Sequence, residues 1–120
     1  ILATFRKEFR SAAVMKVENQ KEYTKVTFNL NGVVMFAYYR ENGNLMAVVR
    51  NIPSTQLPIQ LQMDLRQRNG GAWITDLFEL NADGQTVYYV TLENSDSIVT
   101  LRADSANGWS TYRKLTKLSE

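Results

Sequence analysis

The chain has 120 residues, 14 Lys and Arg against 12 Asp and Glu, a formal charge of +2, 44% apolar residues, and neither His nor Cys. This length suits one domain, or two half-domains sharing a core, and the interspersed charges give no basic tail of the kind that binds nucleic acid. Without imidazole or thiol there is no Cys nucleophile, no His base, no structural zinc set and no disulfide, and no run reaches the roughly 18 apolar residues of a membrane helix.

Residues 1–12 place Leu2, Phe5 and Phe9 on one helical face and Arg6, Lys7, Glu8 and Arg10 on the others, which predicts a short amphipathic helix. From Ala13 the period changes to two. Residues 14–18 read as a strand, 19–21 as a turn, and 23–30 as a strand with Val26, Phe28 and Leu30 on one face. Strands over 33–40 and 45–50 complete a meander. Its turns are Asn31-Gly32 and Asn42-Gly43, dipeptides that tolerate the positive φ of tight hairpins.

The pattern then restarts. Residues 52–55 form a linker, and 57–68 a helix with Leu57, Leu61 and Leu65 at four-residue spacing. Pro58 lies in its first turn and Asn69-Gly70-Gly71 at its end. Strands follow over 73–80, 86–93, 98–103 and 109–115, with Asp83-Gly84 and Asn107-Gly108 as turn signals. The halves align loosely: Phe5 and Phe9 with Leu61 and Leu65, 24–28 with 86–90, and Asn42-Gly43 with Asn107-Gly108. The expectation is an α+β fold of one domain made of two pseudo-repeats, 1–52 and 53–120. Each repeat is one helix plus a four-stranded antiparallel meander. The two share one curved sheet, with both helices on one face and Phe5, Phe9, Phe28, Leu61, Leu65 and Val90 buried together.

Phe28, Ala37-Tyr38-Tyr39 and Asn42-Gly43-Asn44-Leu45 together resemble the F…A-x-Y-x-x-x-G-x-L signature of PepSY-like proteins of Bacteroidetes. Leu57-Pro58, Tyr88-x-Val90-x-Leu92 and the closing Asn107-Gly108 fit as well, so the resemblance spans nearly the whole chain. It implies a fold similar to the beta-lactamase inhibitory protein, itself a tandem repeat, and export to the periplasm or beyond. It also implies a role in binding or inhibiting a protein partner, and it brings no catalytic residues. The paired disulfides of that inhibitor have no counterpart in a chain without Cys. A start at Ile1 in place of Met fits either a trimmed chain or a mature form from which a signal peptide has been removed.

The candidate site is aromatic. Residues 33–39 are apolar on both faces: Val33, Met35, Ala37 and Tyr39 on one, Val34, Phe36 and Tyr38 on the other. A strand with one wet face should alternate apolar with polar. Phe36 and Tyr38, with Tyr89 and Tyr112, could therefore form a binding platform; curvature, a loop or a homodimer contact could equally cover them. The signature suggests that the helices cover Ala37 and Tyr39.

Other features read more plainly. Glu41, Asp76, Glu79, Asp83 and Glu93 have no spacing that demands a catalytic pair and read as solvated or turn residues. Asn81-Ala82-Asp83-Gly84 lacks the alternating oxygen ligands of a calcium loop. Arg6, Lys7, Arg10, Arg66 and Arg68 give the helices basic outer faces, and Trp73 and Trp109 are expected in the core. The reading is a non-enzymatic binding domain for a protein or peptide, with no cofactor or metal, no nucleic acid and no membrane span. The alternative is a carrier of a small apolar ligand in a pocket between sheet and helices.

Overall fold

The computed structural model describes residues 1–118. The elements run α1 (Leu2–Glu8), β1 (Ala13–Asn19), β2 (Tyr23–Leu30), β3 (Val33–Arg40), β4 (Leu45–Asn51), a 3-10 turn (Ser54–Gln56), α2 (Ile59–Asn69), β5 (Trp73–Ala82), β6 (Gln85–Glu93), β7 (Ser97–Asp104) and β8 (Ser110–Thr116). All strands belong to one eight-stranded sheet in sequence order.

The tandem repeat of helix plus four-stranded meander is not the architecture. The protein is one open antiparallel sheet of eight strands carrying two short helices, of 7 and 11 residues. Two compact units can be distinguished: Ile1–Arg50 with Leu80–Gly84 in the first, Asn51–Glu79 with Gln85 onward in the second. The tip of the β5–β6 hairpin thus groups with the first unit. Among the described residues, hairpin pairing in chain order leaves β1 and β8 as the edges, whereas separate meanders would expose more unpaired backbone.

In the first unit the core is Phe5, Val26, Phe28, Ala37 and Tyr39, with Phe9 and Val14 among the residues packed against it. The rings of Phe5, Phe9 and Phe28 lie 4.9–5.0 Å apart, pairwise. A helix as short as α1 is unstable in water by itself, so this aromatic contact is what holds it. The helix ends at Glu8, short of the expected residue 12, because Phe9 leaves the helical conformation (φ −127°) while keeping its ring in the cluster. The buried Tyr39 hydroxyl donates to Glu8 Oε1 at 3.0 Å, joining β3 to the helix end.

In the second unit Leu57, Leu61 and Leu65 bury against Ile52, Leu77, Val90, Leu92, Leu101, Ala103 and Trp109. Burial is therefore split between two clusters, where one shared core had been expected. Pro58 precedes the first turn of α2, and Gln62 Nε2 donates to the carbonyls of Thr55 and Leu57, pinning the 3-10 turn to the helix. Gly70 ends the helix in the left-handed conformation (φ 57°). The indole N–H of Trp109 donates to the Leu61 carbonyl at 3.0 Å. Trp73 departs from expectation: it is 69% exposed, because the first residues of β5 overhang the core and burial begins only at Leu77.

Among the turns, Asn31-Gly32 (φ 53°, 84°) and Asp83-Gly84 (φ 52°, 74°) have the positive dihedrals of primed hairpins. At Asn42-Gly43 only the glycine does, and Gly43 N–H donates to the Arg40 carbonyl. At Asn107-Gly108 neither does; the Asp104 carboxylate instead accepts from the N–H groups of Ala106 and Asn107. Those N–H bonds, with the Arg102 guanidinium 3.6 Å away adding to them, hold the Asp104 carboxyl below its usual range.

Two predictions follow from this packing. Trp109→Phe removes a buried hydrogen bond to a helix carbonyl and part of the core volume, and should cost about 1–2 kcal/mol in urea unfolding, while Trp73→Phe should change stability by less than about 0.5 kcal/mol and abolish the acrylamide-quenchable part of the emission. Burial first, then the Glu8 carboxylate, pushes the Tyr39 phenol upward. The neutral phenol's contribution is therefore full below the unfolded value of about 10 and is lost as pH rises beyond it. Tyr39→Phe should lose about 1 kcal/mol at neutral pH and show a shallower alkaline decline than the parent, read by denaturation from neutral pH upward.

Candidate functional site

Pleating sends alternate residues of a strand to opposite faces, and β3 shows the consequence. Ala37 and Tyr39 are fully buried in the first core, while Phe36 and Tyr38 are half-buried on the other face. Register brings Phe36 beside Thr27 of β2 and Val49 of β4, and Tyr38 beside Lys25 and Ala47. The Lys25 ammonium lies 4.6 Å from the Phe36 ring centroid and 5.9 Å from that of Tyr38. Attraction to the ring faces holds such a cation in place. Tyr23 adds a tilted ring contact to Tyr38 at 5.7 Å. On β1, Glu18 stands opposite Lys25 and forms a 3.6 Å ion pair with Lys16.

Tyr89 and Tyr112 lie in the second unit. On β6, Val90 and Leu92 are buried and Tyr88 packs on the core, so Tyr89 turns to the opposite face. It stacks on Phe78 at 5.1 Å and meets Tyr112 edge-on at 5.2 Å. Tyr112 is 62% exposed and is the extra residue where the β7–β8 register shifts. Phe36 and Tyr38 group with Lys25 and Tyr23 in the first unit, and Tyr89 and Tyr112 with Phe78 in the second.

Sequence reasoning missed Tyr23, Lys25 and Phe78 as members. Lys25 was legible, since it alternates with the core residues Val26 and Phe28. Phe78 required knowing that Leu77 is the buried residue of β5.

The remaining candidates are separate from these groups. Glu93 bonds Lys117 at 2.9 Å, Asp83 sits in its primed turn, and no group of three His, Cys, Asp or Glu gathers as a metal set among the described residues. Arg6, Lys7, Arg10, Arg66 and Arg68 are all exposed. A surface groove of about 460 Å³ runs beside the start of α2, lined by Pro58, Leu61, Asp64, Tyr88, Asp104 and Asn107 among others. No helix among the described residues is long and apolar enough to cross a membrane.

No family model and no curated protein matches the chain by sequence. Solved structures do match it in fold. It is similar to a BLIP-like protein from Bacteroides fragilis (TM-score 0.83, 16% identity, 99% of this chain and 86% of that one). It is also similar to a candidate periplasmic protein from Bacteroides eggerthii (0.82, 9%, 96% and 85%) and to a DUF2874 family protein from Bacteroides uniformis (0.81, 12%, 96% and 86%). The chain therefore has the BLIP-like fold, while the PepSY-like assignment finds no match among these structures.

Proposed function

We propose that this chain is a non-enzymatic, exported binding domain that engages a protein or peptide partner through the aromatic face of its sheet. The observation that carries the reading is the split on β3. Its buried parity joins the first core, which leaves Phe36 and Tyr38 as large rings half-buried on the other face. Rigid aromatic residues held by neighbours are the usual anchors of protein interfaces. Export is supported by the candidate periplasmic neighbour, and the absence of His and Cys removes the commonest acid–base and nucleophilic side chains. The carrier reading draws less support, because the groove beside α2 opens on the surface and shares its lining with polar groups of the β7–β8 loop.

Phe36→Ala and Tyr38→Ala should each cost about 1 kcal/mol, a melting shift of a few degrees. Tyr39→Ala, on the buried parity, should cost about 3–5 kcal/mol. Partner capture from bacterial envelope extract should fall strongly with either of the first pair, since a central anchor is worth about 2 kcal/mol or more. Unchanged capture by both variants, or a melting drop for Phe36→Ala as large as that for Tyr39→Ala, would remove the basis of the reading.

A further inference from the structure

We propose that the free edge of β8 accepts an extended acidic peptide as an added strand. This uses the backbone edge of the sheet, in a different place from the β3 face, and does not rest on the reading above.

β8 is last in the sheet order and pairs with β7 along one side only. All seven of its residues are exposed. An edge of this kind presents unpaired N–H and C=O groups that template another strand, and the neighbouring side chains decide which strand fits. From Ser110 to Leu118 the sequence contains Arg113, Lys114 and Lys117 and no carboxylate. Lys117 is neutralised by Glu93 at 2.9 Å, whereas neither Arg113 nor Lys114 forms a salt bridge to a described carboxylate.

The register places these cations on both sides of the strand. Arg113 stands beside Thr100 and Lys114 beside Val99. An incoming strand therefore meets positive charge whichever of its faces carries its acids. Tyr112 and Leu115, 62% and 46% exposed, supply apolar contact next to them.

The same charges argue against a second copy. Antiparallel pairing of β8 with itself about its centre sets Arg113 against Lys114 or against its own copy, and like charges across strands are unfavourable. The other edge, β1, lacks this selectivity, because its Lys16 and Glu18 pair with each other at 3.6 Å. Charge complementarity thus singles out an acidic strand at β8.

The test titrates the isotope-labelled chain with a blocked decapeptide of alternating Val and Glu, and separately with its Val and Lys counterpart, following backbone amide shifts and exchange. The acidic peptide should move and protect amides of residues 110–116 and bind roughly tenfold tighter than the basic one. Raising salt from about 0.05 M to about 0.5 M should narrow that gap, as screening shortens the reach of the exposed charges. Arg113→Glu with Lys114→Glu should invert the preference; Lys114→Gln alone should reduce it, should the double variant misfold. Shifts elsewhere in the sheet, equal binding of the two peptides, absence of binding, or peptide-free dimerisation that protects the same amides would each overturn the proposal.

Discussion

Residues 33–39 of β3 are all apolar or aromatic, and a pleated strand has to send them to both faces. One parity is consumed: Ala37 and Tyr39 have no exposure and join Phe5, Val26 and Phe28. This choice fixes the surroundings. Tyr39 is placed to donate to Glu8, Phe28 to receive the rings of Phe5 and Phe9, and α1 to stop where Phe9 must turn inward. The other parity inherits the surplus. Lys25 then lies across Phe36 and Tyr38, which lowers the cost of leaving those rings partly wet while keeping them in a defined orientation.

Much of the local structure was readable in the sequence for the same reason. Periods of two and four, Pro58 at the start of α2 and the glycines after it gave elements within a few residues of those observed, and the Ala37–Tyr39 parity was assigned to the core correctly. The misreadings are also physical. Trp73 resembles Trp109 in chemistry and in its place at a strand start, yet burial there depends on how far β5 extends past the core, which is a three-dimensional quantity. Asn107-Gly108 looks like a primed turn, but Asp104 supplied the two acceptor contacts that organise the loop another way.

The repeat was the larger misreading. Order and spacing of elements suggested two equal units, but element order says nothing about where cohesion is strongest. The helices differ in length and in how they are held, α1 by aromatic rings and one buried hydroxyl, α2 by leucines and an indole. The site was half legible: Phe36 with Tyr38, and Tyr89 with Tyr112, each sit together. The lysine lying over the first pair is a matter of rotamer and register, which no periodicity reports.

The hydrogen bond from Trp109 to Leu61 spans 48 positions in the chain. On a ribosome, α2 would emerge long before the indole that completes its packing, and β5 through β7 would have to wait with an unfinished apolar layer. Contacts of such sequence separation slow folding, and the exposed layer invites misassembly during the delay. The second unit therefore closes its core only when Trp109, just before its last strand, is in place.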